Sequence, residues 1–453
     1  MITHQDVLVV GSGPVGISVA RRLSERGLQV TVLEAGEAIT DPPGSHFRNQ
    51  DRIQADPDGY FAAIGPYLQP VIGAGEQTDL PGAADSSLVG GQGILWTNNC
   101  PRAAEFERWE PMAPREWERR YEEAEDILQV VTDPSGNSKQ GQKVRERLHR
   151  ALADKRRSIS QLPFSGRILP SGKLYYNGPS DILAAAAREV RDRITIRSSV
   201  RVSRLRLQGS RVTGVELQGN DRGGDFLEAS SVFLAGGAIA IPQLLHRSGI
   251  RPEALGRGIS FHALLFGQVI LEAELCPSVS QRDIASRLWI PPTTDSPWHL
   301  MVLRDTCPLP PAEEVDNPHR LVELQAFLPV EFQDENAFVI DEKEGPAFRF
   351  TFSQNDREGM QAMEADVQWL AAHLGRWRRG CECTWMPHGS AHVVGTCRMD
   401  LPGWKGVADT EGKVHGFDNL YLASVGVFPA RVAENPTLTA VALALRSCDR
   451  FVS

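Results

Sequence analysis

The chain has 453 residues, a formal net charge of −9 and 41 % hydrophobic residues. That length can bury a large core and predicts two lobes. The acidic balance argues against nucleic acid or an anionic membrane surface as partner, and no apolar run is long enough to span a bilayer. Seven cysteines, an odd number with no framework, predict reduced thiols. A core strand starts within a few residues of Met1 with no leader ahead of it, so a cytoplasmic protein is expected.

Val7 to Val10 form an apolar run of the kind a strand buried on both faces requires. Gly11, Ser12, Gly13, Pro14, Val15 and Gly16 follow at once. Glycines at this spacing allow a tight turn, close approach of the backbone to a pyrophosphate, and close helix–strand packing. Val15, Val19 and Leu23 recur at helical spacing, Gly27 is placed to end that helix, and a second apolar strand runs from Val30 to Leu33. It ends at Glu34 and Ala35, where the carboxylate can accept hydrogen bonds from ribose hydroxyls while the helix N-terminus attracts phosphate. Strand, glycines, helix, strand and acid in this order make a dinucleotide cradle, without separating FAD from NAD. The stretch Val71 to Thr78 (VIGAGEQT) imitates the glycine pattern but lacks the third glycine and an adequate preceding strand, so it reads as a loop. A second nucleotide site has no support.

Residues 41–77 read as irregular and 112–154 as charged helix. Residues 181–218 read as helix, strand, strand, followed by a buried strand from Ser231 to Ala235 that ends in Gly236 and Gly237, and a helix from near Pro242. From Leu264 the pattern changes to longer antiparallel strands, with Phe348, Phe350 and Phe352 alternating so that one face is buried. Met360, Met363, Val367, Leu370 and Leu374 make a helical stripe that ends at Gly375 and reads as a helix packed on a sheet. The expected fold is therefore α/β: a Rossmann-like, doubly wound nucleotide lobe over 1–255 and 386–453, interrupted at 256–385 by a lobe of antiparallel sheet plus helices.

Two histidines, His388 and His392, lie four residues apart, but Gly389 and Gly395 favour a loop and no third ligand is evident, so no metal is expected. Cys381 and Cys383 have the wrong spacing for a redox or zinc pair. Asn435 followed by Pro436 and Thr437 is a good helix start. If the Asn435 side chain caps that helix, it cannot also hold a substrate.

Taken together these motifs resemble the glucose–methanol–choline (GMC) family of FAD oxidoreductases. The cradle with Glu34, VSRL at 202–205, the strand and glycines at 231–237, HVVGTCRM at 392–399 and NPTLT at 435–439 span most of the chain. Within that family the chain is most similar to pyranose oxidases and bacterial glycoside 3-oxidases, including C-glycoside 3-oxidases. The closer likeness lies in VGGQGILWT at 89–97, FGQVILEAEL at 266–275, PWHLMVLRD at 297–305 and ENPTLT at 434–439. The resemblance implies that His392 is the active-site base and that Asn435 is its partner on the substrate hydroxyl. It makes Gln268 and Arg304 sugar contacts, sets Thr97 beside the flavin's reactive N5, and gives Val202 a backbone contact to the adenine. Gly91, Gly236, Ser424, Val425, Pro436 and Thr437 join the cradle residues as expected cofactor contacts.

Three departures matter. Leu95 stands where pyranose oxidases carry the His that bonds covalently to flavin, so noncovalent FAD is expected. Ser424 stands where an Asp is common. The chain is also shorter than fungal pyranose oxidases, which predicts a more open pocket and leaves monomer or homo-oligomer undecided.

Alcohol oxidation removes a proton from oxygen and a hydride from the adjacent carbon. FAD accepts the hydride, and a neutral imidazole, with an ordinary pKa of about 6.5, suits the proton. The expected reaction turns a secondary ring hydroxyl, C2 or C3 of a pyranose or glycoside, into a ketone. Dioxygen or a quinone-type acceptor would reoxidise the flavin. The rivals are oxidation of an amino-sugar hydroxyl in a biosynthetic pathway and a non-redox lyase that keeps FAD as a structural part.

Overall fold

The strand Gln5–Val10 pairs in parallel with Val30–Leu33 on one side and with Phe226–Leu234 on the other. Ile194–Arg197 extends the sheet beyond Val30–Leu33, and Leu420–Leu422 pairs in parallel with the end of Phe226–Leu234. Val7, Leu8 and Val9 are fully buried, as a central parallel strand covered on both faces demands. An antiparallel meander, Val202–Gln208 and Arg211–Leu217, joins the same sheet through Phe226–Leu234. The helices Pro14–Glu25 and Thr437–Phe451 pack on each other, and Pro114–Leu128 packs on the second of them. The C-terminal helix is buried from Leu438 to Cys448. The two ends of the chain thus share one core.

The computed structural model describes residues 5–452 outside 57–58, 72–77, 110–111, 134–137, 172, 220–224, 277–285, 305–316, 342, 344 and 391. Most of the glycine-bearing stretch 71–78 read as a loop, and Asp305 of the 297–305 motif, lie outside the described residues.

A second sheet is built on the long strand His262–Leu271, with Leu321–Pro329 antiparallel beside it, then His299–Leu303, Leu288–Ile290 and the short Ser160–Gln161. Gly375–Trp377 and Thr384–Trp385 pair with the other edge of the long strand. Side chains alternate between its faces. Ala263, Leu265, Val269 and Leu271 meet Met363, Val367, Leu370 and Leu374 of the helix Gln354–Leu374, which is the stripe read from the sequence. That helix starts on a reciprocal capping box: Ser353 Oγ accepts from the Asp356 amide, and the Asp356 carboxylate accepts from the Ser353 amide. His262, Leu264, Phe266 and Gln268 face the other way, opposite Phe327, Gln325 and Glu323 on the neighbouring strand.

Two local readings change. The phenylalanine segment is a short strand, Gly345–Arg349, paired with Ala337–Asp341. Phe350 and Phe352 lie beyond it and gather around the Phe261 ring, with centroids 4.9 and 6.0 Å away. The helix expected near Pro242 instead runs Gly237–Arg247 with the proline inside. Proline has no N–H to offer the carbonyl four residues back. Thr396 Oγ1 takes that place, donating to the Ala238 carbonyl at 2.7 Å.

Candidate active site

The nucleotide cradle assembles as its spacing predicts. A Cβ at Gly11 would lie 2.6 Å from the Ala235 carbonyl oxygen, and one at Gly16 would lie 2.1 Å from that of Gly11, so both positions need glycine for packing. A Cβ at Gly13 would touch nothing within 4 Å. The first turn of Pro14–Glu25 therefore opens onto free space, with no side-chain cap among the described residues. Such a helix N-terminus fits a diphosphate. Glu34 is buried at the end of its strand; one carboxylate oxygen accepts from the Ser12 amide and hydroxyl at 3.0 and 2.8 Å, the other from the Gly36 amide at 2.9 Å. Ala35 sits in the turn between Glu34 and Gly36. The segment leading to Val202 is held beside this acid, with the Val200 amide donating to the Glu34 carbonyl at 2.8 Å.

The loop carrying Gly91 and Thr97 docks directly on the cradle. The Gly90 amide donates to Ser12 Oγ at 2.9 Å, and a Cβ at Gly91 would come within 3.2 Å of Gly13 Cα. Further along, the Leu95 carbonyl accepts from Tyr60 Oη at 2.7 Å, and Leu95 itself packs with Phe47, Ile53 and Tyr60. Thr97 Oγ1 accepts from Asn99 Nδ2 at 3.1 Å. Gly236 lies two residues past the strand Phe226–Leu234 and is the N-cap of Gly237–Arg247. Ser424 Oγ accepts from the Gly426 amide at 3.0 Å, closing the turn that holds Val425. The HVVGTCRM segment lies along this turn: the Cys397 and Met399 amides donate to the Gly426 and Val427 carbonyls.

His392 does not act with His388, whose ring packs on Phe261 and Phe352. Instead, Nδ1 of His392 lies 2.5 Å from Nε2 of His262, with the two rings edge-on at 83°. Burial pushes His392 down to about 4. Burial, with His392 and His299 nearby, holds His262 well below the usual imidazole range. Both rings are neutral at physiological pH. Asn435 is 7 % exposed, and its Oδ1 is buried without a hydrogen-bond partner among the described residues. The helix begins at Thr437, with Pro436 at the N-cap and no side-chain cap bond. The amide is thus not used in capping, and an orphaned buried acceptor is what a site awaiting a hydroxyl would show.

The stretch before Asn435 is gripped by buried acids. The Ala433 amide donates to Glu107 Oε1 at 2.9 Å, while Glu107 Oε2 accepts from the Ala104 amide and pairs with His299 Nε2 at 3.1 Å. Trp289 Nε1 donates to His299 Nδ1 at 3.1 Å, so His299 carries its proton on Nε2. Burial pushes the Glu107 carboxyl up, but His299 and the two amides outweigh it and leave the group below its ordinary value. Glu434 is raised to about 8 by burial and by the Glu107 charge, so it is a neutral acid at pH 7. It accepts from Thr439 Oγ1 at 2.8 Å, and Thr439 in turn bonds Tyr121 Oη at 3.0 Å.

Not every expected residue joins this cluster. Gln268 shares a strand face with His262 but stands six residues along, about 20 Å at ~3.4 Å per residue. Its Oε1 accepts from Arg378 Nη1 at 2.8 Å. Arg304 follows the end of His299–Leu303 and is half-buried. His262, His299, Glu107 and Glu434 were missed by sequence reasoning. Each comes from a separate segment; Glu434, beside Asn435, and His299, inside PWHLMVLRD, carried a positional signal.

Residues 6–264 match the family model for FAD dependent oxidoreductases, and residues 341–444 match that for GMC oxidoreductases. The chain is 32 % identical to the C-glycoside 3-oxidase of Microbacterium trichothecenolyticum, across 97 % of this chain and 95 % of the relative. It is 26 % identical to the pyranose 2-oxidase of Tricholoma matsutake, across 100 % and 94 %. The structure resembles Aspergillus oryzae formate oxidase with a TM-score of 0.71 at 15 % identity, covering 99 % of this chain and 98 % of that one, which speaks for the fold alone.

Proposed function

The chain belongs to the GMC family of FAD-dependent oxidoreductases, and we propose that it oxidises a secondary ring hydroxyl, C2 or C3 of a pyranose or glycoside, to a ketone. The observation that carries this reading is the joint presence of a neutral, desolvated His392 and an Asn435 amide oxygen without a partner among the described residues. His392 is held by His262, and Asn435 lies two residues after Ala433, whose amide Glu107 holds. His392 accepts the hydroxyl proton and Asn435 orients the alcohol.

FAD, when bound, supplies the hydride acceptor. Gly11, Ser12, Gly13, Pro14 and Gly16 would hold its diphosphate, Glu34 and Ala35 its ribose, and Val202 its adenine. Gly91, Thr97, Gly236, Ser424, Val425, Pro436 and Thr437 would surround the ring system. The N-terminus of Thr437–Phe451 favours negative charge placed before it, by about 0.3–1 kcal/mol. Leu95 offers no nucleophile, so the cofactor is noncovalent. Dioxygen or a quinone-type compound would reoxidise it. The six described cysteines are free thiols, and the setting proposed is cytoplasmic. No helix among the described residues is long and apolar enough to cross a membrane.

An anaerobic titration tests the assignment. Purified yellow protein is mixed with free sugars, C- and O-glycosides, and amino sugars. Bleaching of the visible flavin band by a sugar or glycoside is expected, and readmitted air then shows whether dioxygen serves as acceptor. Bleaching by amino sugars alone would move the reaction to that class, and none across the panel would leave the lyase reading in front.

A further inference from the structure

We propose that His262 is a positioning residue that fixes the tautomer of His392, so that the catalytic lone pair sits on Nε2. The inference rests on the reading of His392 as base. An imidazole has two nitrogens, and in its neutral form only one can take a proton. Which one is free depends on what the other bonds.

Nδ1 of His392 and Nε2 of His262 are 2.5 Å apart, so one proton lies between them. With Nδ1 committed to His262, the nitrogen of His392 left to meet a hydroxyl is Nε2. A base needs its lone pair there, so the shared proton belongs to Nδ1 of His392, and His262 keeps its own proton on Nδ1. His262 is 3 % exposed, and its ring lies against Phe327 with centroids 4.7 Å apart; nothing there favours a second charge beside His392. In a neutral His262 protonated on Nδ1, Nε2 has only a lone pair. It must accept, and His392 must donate from Nδ1. Nε2 of His392 is then unprotonated.

After a hydroxyl proton reaches His392 Nε2, the positive charge is stabilised by the acceptor at His262. The charge can be shared across the Nδ1–Nε2 contact with His262, and the substrate proton leaves from Nε2 of His392, where it arrived.

The test uses flavin-loaded protein with ¹⁵N-histidine, in the wild type and in His262→Leu, His262→Gln and His392→Ala. Nitrogen shifts of the wild type should show both His262 and His392 as Nδ1–H tautomers. His262→Leu removes the acceptor. His392 should then move toward Nε2–H, and anaerobic flavin reduction by the best sugar should slow roughly 10- to 100-fold, a fraction of what a general base contributes, with little change in the concentration of sugar needed for half the maximal rate. His262→Gln, whose amide oxygen can accept, should restore most of the rate and the Nδ1–H signature. A wild-type His392 protonated on Nε2 overturns the proposal whatever the variants do, including a variant that fails to fold. So does His262→Leu reducing at the wild-type rate while His392→Ala is inactive. If His392→Ala reduces normally, it is the base assignment that falls, and the nitrogen shifts still decide the tautomer.

Discussion

A base that works by burial must stay neutral where its bulk-water counterpart would already be charged. His392, held at about 4, does so across the physiological range. The acid limb of flavin reduction is therefore expected near pH 4, not near the ordinary imidazole value of about 6.5; stopped-flow reduction from pH 4 to 8 checks this. His392→Ala should keep its flavin and reduce roughly 10²- to 10⁴-fold more slowly, which the same measurement reads. Glu434 carries the opposite sign. Its folded pKa, about 8, lies above its ordinary 4.5. The folded state holds a proton that the unfolded chain releases, so stability is fully present below pH 4.5 and is lost as pH rises to about 8. Glu434→Gln keeps a neutral amide in place of the acid, and its melting temperature should fall less between pH 5.5 and 8.5 than that of the wild type. Equal pH slopes for the two proteins in differential scanning fluorimetry would contradict a neutral Glu434.

At the scale of elements, the helix Gln354–Leu374 shows how the second sheet is fixed to its cover. Asp366 on that helix accepts from Arg157 Nη1 at 2.6 Å, from Trp298 Nε1 at 3.0 Å and from Lys155 Nζ at 2.5 Å. The Arg157 and Asp366 side chains are 1 % and 7 % exposed. Removing one partner of a buried pair strands the other charge, so Asp366→Ala should cost about 3–5 kcal/mol, read from denaturant melts. The apolar stripe that seats this helix was legible because helical spacing is a local signal. The polar clamp was not, since Arg157, Trp298 and Asp366 lie on three distant segments. The helix Gly237–Arg247 makes the same point. Its proline reads as a helix start, because the sequence around it says nothing of Thr396, the distant hydroxyl that occupies the Ala238 carbonyl. In the site, the cradle was readable from one contiguous stretch, and His392 and Asn435 from short motifs. His262, Glu107 and His299 were not, because strand register and loop docking, not spacing, bring His262 to His392 and Glu107 to His299 and Ala433.

For the whole molecule, the cofactor contacts proposed here come from the first strand–helix turn, the 89–97 loop, the start of Val202–Gln208, the end of Phe226–Leu234, and the turn and helix at 424–437. These segments meet only in the folded chain. A ligand that binds the folded state alone stabilises it by mass action, about 2.7 kcal/mol at a free concentration one hundred times its dissociation constant. Because Leu95 packs among Phe47, Ile53 and Tyr60 and has no group to form a bond with flavin, this stabilisation should be reversible. Acid precipitation should release the yellow colour into the supernatant. Flavin-stripped protein should melt several degrees lower, and its melting temperature should climb with added FAD in the concentration-dependent way mass action requires. Colour that stays in the pellet would mean a covalent link through some other residue. A melting temperature indifferent to FAD in stripped protein would mean that the cradle, with its open Gly13 and uncapped helix, is not where the binding energy lies.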